Sequence, residues 1–244
     1  RVKPILITAL GVAVPTVLYT AFIQLYQHKF VWQTLLLVNN FYGPEMVYYH
    51  GYWFLAVLCQ IFLLLAICFS IPAIRAYAAR DQFRFALVAT LALLVLNESL
   101  DLLWITRFET DRILYHGISL VFLGMSVALA DTIRKKLLVA ALTILAAFSS
   151  ETGVYPVVAI LFVLSIDRVR MPALLVKAIN LVAAASLFIY LTHHGFKSMV
   201  ISKTPLAGNL YASSIAAIIG GVIVWKLWNM VWPRVSARLF ERRA

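Results

Sequence analysis

The stretch HGYWFLAVLCQIFLLLAICFSIPAIRAY, residues 50–77, decides the fold. It is apolar over about the thickness of a bilayer core, starts with aromatic residues and carries an arginine near its end, as membrane-spanning helices often do. At helical spacing, one face carries His50, Trp53, Val57 and Gln60. An amide without a partner is costly inside hydrocarbon. We therefore expect this face to turn inward, with Gln60 either lining a cavity or bonded to a neighbouring helix.

The composition points to a membrane protein with several spans. Of the 244 residues, 63% are hydrophobic and 13% are charged, and the mean hydropathy is +0.92. No soluble domain of this length buries so much apolar surface. The net charge of +11 does not indicate a nucleic-acid partner, because the charges cluster at the ends of apolar runs, where they orient a membrane protein.

Eight apolar runs predict an all-α, polytopic helical membrane protein with about eight membrane segments. The runs cover residues 4–26, 50–77, 85–105, 113–130, 137–150, 154–166, 173–192 and 210–232. With alternating segments, one side holds only five basic residues: Lys29, Arg107, Arg112, Lys197 and Lys203. The other 16 of the 21 lie on the side of both termini, which predicts that both termini are cytoplasmic. We expect residues 1–244 to form a single membrane-embedded domain.

Four local patterns give further expectations. Residues 31–38 are too short to cross a bilayer, so the segment 27–49 is expected to be interfacial or folded outside the membrane. A basic loop with Arg75, Arg80 and Arg84 is expected to follow the organising helix. Gly124 and Ala128, four apart, suit close helix packing. The short runs 137–150 and 154–166 could form a thin helical hairpin or a re-entrant one.

Candidate chemistry lies near the predicted outer ends of the helices, where all five histidines fall. Histidine is well suited to take a proton from a hydroxyl near neutral pH. Ser186, Tyr190 and His193 share one helical face, whereas His193 and His194 are adjacent and expected to point apart. No metal-ligand spacing, phosphate loop or nucleophile elbow is present in the sequence, so no metal site is predicted. The plain alternative is that these histidines and the acids near them are only hydrated interfacial groups.

Two phrases resemble the acyltransferase-3 family of multi-spanning membrane O-acyltransferases. GYWFLAVLCQIFLLLAI, residues 51–67, resembles that family's helix with Trp-Phe and a later Gln. SLFIYLTHH, residues 186–194, resembles its late helix ending in Tyr-Leu-x-His. The opening Arg1-Val-Lys-Pro4 is similar to the basic entry into its third span, and the order of the hydrophobic runs fits along nearly the whole chain.

The resemblance implies transfer of an acyl group from acyl-CoA, the donor substrate, to a hydroxyl of an envelope glycan, lipid or similar acceptor. The candidate catalytic residues are His193, Tyr190 and His50. The candidate substrate-binding residues are Trp53, Gln60, Glu98 and Ser186. The residues that could bind CoA phosphates, or serve only to orient the chain, are Arg75, Arg80, Arg84 and Arg134, with Lys135 and Lys136 beside them.

The family's expected base, a histidine in the first span, has no counterpart here. We therefore expect one or two further spans before Arg1, and no acyl transfer by this chain alone. Two other functions stay open. The chain could be a small-molecule transporter or flippase using Glu98, Asp101 and Glu151, or a non-catalytic membrane partner of another chain. In each case we expect membrane lipids but no nucleic acid as partners, and a multi-pass location in the bacterial inner (cytoplasmic) membrane.

Overall fold

The computed structural model describes residues 2–41, 53–102, 114–148, 154–166, 168–199, 204 and 209–240, which form helices and no strand. The elements are α1 Val2–Tyr26, α2 Trp32–Leu35, a 3-10 turn Asn39–Phe41, α3 Trp53–Ser70, α4 Pro72–Arg80, α5 Gln82–Leu102, α6 Leu114–Ala128, α7 Ile133–Phe148, α8 Val154–Ser165, α9 Ala173–Met199 and α10 Leu210–Phe240. The prediction of an all-α fold is confirmed.

Within the described residues, four helices are long and apolar enough to cross a membrane: α1, α3, α9 and α10. The apolar parts of α5 and α6 are shorter, Gln82–Asn97 and Gly117–Ala128. The outward faces of the four long helices are rich in exposed leucine, isoleucine and phenylalanine. Such faces are expected where helices contact lipid.

The organising stretch folds as two helices rather than one. Pro72 has no N–H to donate and disfavours helical backbone at the residue before it, so Ile71 is extended (φ −75°, ψ 117°) and α4 starts anew at Pro72. The prediction of a basic loop with Arg75, Arg80 and Arg84 is therefore wrong, because Arg75 and Arg80 lie in α4 and Arg84 lies in α5. Asp81 ends α4, and its carboxylate accepts a hydrogen bond from the N–H of Arg84 in the first turn of α5, at 2.9 Å.

The chain forms two compact units. In the first, Arg1–Ala13 with Thr20–Val169, one buried cluster joins α3 to α6 through Val57, Ile61, Ile118 and Phe122. A second cluster joins the α6 region to α7 and α8 through Leu123, Ala130, Val139, Leu142 and Leu164. The helices α7 and α8 pack against each other, as the hairpin expectation requires.

Glycine packing differs from the prediction. Gly124 is exposed and has nothing within 4 Å of the position of a Cβ, so the expectation of close packing at Gly124 is wrong. The α6 face that packs is set by Ile118 and Phe122, and there Gly117 lies against Val57 and Ile61 of α3.

The second unit, Val14–Tyr19 with Arg170–Ala244, is built mainly on the pair α9 and α10. Gly220 and Gly221 of α10 let the two helices approach closely, with Phe196 and Ile189 of α9 in the space that a Cβ would fill. The first half of α9, residues 173–184, is exposed throughout.

Candidate functional site

The face of α3 that carries Trp53 and Gln60 turns toward the protein. Val57 is buried in the α3–α6 cluster, and Trp53 packs against that cluster. Gln60 is partly buried and fully engaged. The inward orientation predicted for Trp53 and Gln60 is confirmed, whereas His50 lies outside the described residues.

The partner of Gln60 is a short polar segment rather than a spanning helix. Gln60 Nε2 donates to the carbonyl oxygen of Leu37 at 2.7 Å and to Asn40 Oδ1 at 2.8 Å. Asn40 Nδ2 donates back to Gln60 Oε1 at 3.2 Å. Three hydrogen bonds thus hold the segment 37–40 against α3, and the prediction that the region after residue 27 folds outside a span holds for its described part.

The same segment is tied to the end of α1 by Gln24. Its side-chain amide accepts from the N–H of Val31 at 3.0 Å and donates to the carbonyl of Val31 at 3.1 Å. Because the Gln24 side-chain amide bonds to both the N–H and the carbonyl of Val31, two hydrogen bonds stabilise the turn between α1 and α2.

Two non-glycine residues adopt left-handed backbone in this region, His28 (φ 53°) and Leu37 (φ 57°). Each follows a helix by two residues, and the hydrogen bonds around it form a Schellman cap. Glycine normally occupies this position because a Cβ is crowded there. The backbone of Leu37 is therefore strained, and its carbonyl accepts a hydrogen bond from Gln60 Nε2.

A cavity of about 360 Å³ lies beside the first of these caps. Gln24, His28 and Lys29 line it together with the apolar side chains Ala21, Leu25, Phe30 and Leu35. An imidazole and an ammonium at an otherwise apolar cavity suit an anionic group attached to an apolar one. The sequence predicted His28 near the outer end of a helix but did not indicate this cavity.

Three buried polar side chains in the first unit carry atoms without a hydrogen-bond partner among the described residues. They are the hydroxyl of Thr34, the amide nitrogen of Asn39 and both amide atoms of Asn97. Buried polar atoms without a hydrogen-bond partner are expected to bind a ligand or a partner of complementary chemistry. The adjacent asparagines Asn39 and Asn40 are the sequence signal that could have indicated the second of these, and Asn97 stands next to Glu98 in the later half of α5.

On α9, Tyr190 and His193 come together but Ser186 does not join them. Nδ1 of His193 lies 2.5 Å from the carbonyl oxygen of Tyr190, and the two rings have centroids 5.6 Å apart. Ser186 is exposed, so the prediction that it faces inward with Tyr190 and His193 is wrong. Ala185 and Phe188 occupy the buried face in its place.

The tautomer of His193 follows from its bond. Since a carbonyl oxygen can only accept, Nδ1 carries the proton and Nε2 carries the lone pair in the neutral ring. The ring of His194 lies 4.0 Å from that of His193, centroid to centroid. The expectation that these two histidines point apart is therefore wrong, because the side chains tilt toward each other at the end of the helix. The hydroxyl of Tyr19 approaches the next residue, Gly195.

The basic residues proposed for CoA phosphates lie at the start or end of helices and are exposed: Arg75, Arg80, Arg84 and Arg134. Lys135 pairs with Asp131 at 2.8 Å, a bond that lowers the pKa of Asp131, and its ammonium lies 5.0 Å from the ring centroid of Phe83. This contact brings the start of α7 to the start of α5. The side chain of Glu98 lies outside the described part of the chain, and no group of three His, Cys, Asp or Glu within that part could hold a metal ion.

No protein-family model, curated protein or solved structure matches the chain.

Proposed function

We propose that the protein is a membrane O-acyltransferase, or part of one, that moves an acyl group from acyl-CoA to a hydroxyl of an envelope glycan, lipid or similar acceptor. The observation that carries the proposal is the hydrogen bond between Nδ1 of His193 and the carbonyl of Tyr190. It leaves the lone pair on Nε2 of a half-buried imidazole, which is the form that a general base requires. This orientation leads us to assign the base to His193, although the resemblance alone favoured a base outside the chain.

The chemistry needs one proton carrier. Nε2 of His193 takes the proton of the acceptor hydroxyl as its oxygen attacks the carbonyl carbon of the acyl thioester. The new C–O bond forms and the C–S bond breaks. The departing CoA thiolate then takes the proton from the imidazolium, so that His193 returns to its neutral form.

The proposed topology has eight membrane segments with both termini in the cytoplasm, in the bacterial inner membrane. The division of the basic residues supports it. His193 lies 20 residues beyond Ala173, or roughly 30 Å along α9 at 1.5 Å per residue. This topology places His193 toward the outer end of α9, where an external acceptor would meet it, and the acyl thioester has to reach the same point for the attack.

The test is acyl transfer by the purified chain in liposomes, with labelled acetyl-CoA and a crude envelope-glycan acceptor. His193→Ala is expected to lower turnover by about 10²–10⁴-fold, the usual contribution of a positioned base. Gln82→Ala is the control, because it removes an exposed polar side chain of the other unit that lines neither cavity, and it should leave turnover unchanged. Turnover that depends on His193 would show that the expectation of no acyl transfer by this chain alone is wrong. A chain without turnover, or equal loss in both variants, would contradict the assignment of His193.

Asn97 favours a second candidate, transport of a small polar molecule. Its buried amide has no partner within the described residues, and a polar solute passing along α5 would supply one. Flux of labelled solutes through the same sealed liposomes, without acyl-CoA, tests this function. Flux that disappears in Asn97→Leu, in the absence of any acyl transfer, would favour the transporter over the transferase.

A further inference from the structure

The junction of α3, α4, α5 and α6 forms an apolar cavity of about 420 Å³ that is open to the surface. Its walls come from the last turns of α3, from Ala73, Ile74 and Tyr77 of α4, and from Phe85 and Phe122. Phe85 is the centre of an aromatic cluster, with ring centroids 5.8 Å from Phe69, 6.0 Å from Tyr77 and 5.7 Å from Phe122. Volumes of this size are ordinary for ligand sites.

The cavity exists because α3 and α4 are separate helices. The break at Ile71 and Pro72 redirects the chain, so that α4 covers the space beside the end of α3 instead of continuing it. Ile67 and Ile71, close by in sequence, are 56% and 46% exposed. The surface around the cavity is thus apolar, as a surface in contact with lipid tails is, and does not suit a water-soluble guest.

The charges at this end of the unit are mostly positive, although Asp81 lies between Arg80 and Arg84 and its carboxylate accepts from the backbone N–H of Arg84. Arg80 follows Ala73 and Tyr77 on one face of α4, at steps of four and three, and Arg84 directly precedes Phe85. Within the described residues, no ion pair engages the guanidinium groups of Arg75, Arg80 or Arg84, whereas Lys135 is already paired with Asp131. Basic residues at a membrane surface attract anionic lipids.

We propose that this cavity binds one acyl chain of an anionic phospholipid, whose headgroup is held by Arg80 and Arg84. The cavity supplies the apolar volume and the two arginines supply the complementary charge. This site uses neither His193 nor Gln60, but it shares Arg80 and Arg84 with the residues proposed for CoA phosphates, so the lipid and the acyl donor would compete for these two guanidinium groups.

Native mass spectrometry of the full chain in detergent tests whether the site prefers an anionic lipid headgroup. The probes are phosphatidylglycerol and phosphatidylcholine with identical acyl chains. We expect phosphatidylglycerol to stay bound at about tenfold lower concentration than phosphatidylcholine. Ala73→Phe should fill the cavity and weaken phosphatidylglycerol binding about tenfold. Ala76→Phe, at an exposed position of the same helix, should not. Arg80→Gln should reduce the preference for the anionic lipid, whereas Arg170→Gln in the other unit should preserve it.

A phosphatidylglycerol with a photoreactive acyl chain locates the site without any variant, and so guards against misfolding of Ala73→Phe. Cross-links are expected in the peptide covering residues 65–77 and at Phe85 or Phe122. Cross-links confined to other helices, or equal retention of the two lipids, would overturn the proposal. Displacement of the bound lipid by palmitoyl-CoA at equal concentration would also overturn it and would assign the cavity to an acyl-CoA.

Discussion

Gln60 shows what one amide can do in an apolar helix. Its carboxamide makes three hydrogen bonds to residues 20 and 23 positions earlier in the chain, Asn40 and Leu37. Neither partner lies in a candidate span. The amide therefore fixes a loop to a span rather than one span to another.

Removing this amide should destabilise the protein. Gln60→Leu removes the hydrogen bond to the Leu37 carbonyl and the two hydrogen bonds with the Asn40 amide, and we expect a loss of about 1–3 kcal/mol in the free energy of unfolding. Asn40→Leu should cost a similar amount. The double variant should lose less than the sum of the two by about 0.5–3 kcal/mol, since the pair is then removed together. Unfolding in mixed detergent measures these values, with exposed Gln82→Leu as the neutral control. Strictly additive losses would show that the two side chains do not interact.

The need of Gln60 for a partner was predictable from the sequence, but the partner itself was not. Hydropathy shows that an amide lies inside an apolar run. It does not show that a short helix ends at Leu35 and that Leu37 turns left-handed to direct Asn40 back toward α3. That geometry depends on contacts between distant residues, which a local pattern does not carry.

His28 offers a direct measurement of backbone strain at one of the two caps. His28→Ala and His28→Gly both remove the imidazole, but only glycine is unstrained at φ 53°. We expect the glycine variant to be more stable than the alanine variant by about 1 kcal/mol. Thermal unfolding in detergent gives the difference, and an alanine variant as stable as the glycine variant would mean that the cap is not left-handed in solution.

Among the elements, the helix pair α9 and α10 depends on glycine most directly. A Cβ on Gly221 would lie 2.5 Å from the Cα of Ile189, a backbone atom that cannot rotate away. In membrane proteins, small residues are enriched at such close contacts between helices. The pattern of glycine and alanine four apart was correct as a principle, but it was assigned to the wrong face, since it does not show which face of a helix meets a neighbour.

Gly221→Ala should therefore destabilise the protein by about 1–3 kcal/mol, the usual cost of overpacking. Gly124→Ala is the control on another helix, where open space surrounds the position. That substitution should be neutral or slightly stabilising, because alanine is the better helix former. Thermal melting of both variants decides the matter, and equal melting temperatures would contradict the close packing of α9 on α10.

For the whole molecule, the sequence alone does not determine how many helices cross the membrane. The short helices α6 and α8 have 15 and 12 residues. At 1.5 Å per residue they are about 22 Å and 18 Å long, less than the roughly 30 Å of a hydrocarbon core. Charge counting predicts sides for the loops only once the crossing segments are chosen.

Cysteine labelling distinguishes a protein with eight membrane segments from one with four. In a background without Cys59 and Cys68, single cysteines at Ser150 and Ser236 should react with an impermeant reagent from opposite sides if eight segments cross. Only α1 and α3 precede residue 150 among the four long helices, so a four-span protein would place both cysteines on the same side. Labelling of intact cells and of inverted vesicles provides the measurement, and same-side labelling would contradict the proposed topology.

The bonds of Gln60 also set an order of events during synthesis. Asn40 leaves the ribosome 20 residues before its partner, which at about 5–20 residues per second is an interval of roughly 1–4 s. During that interval the polar segment after α1 cannot dock, and its amides must stay hydrated beside the translocation channel. Insertion of α3 then completes the fold of a segment already made, so a stalled or misdirected α3 would leave the nascent chain with an unfolded polar loop that quality-control proteases can recognise.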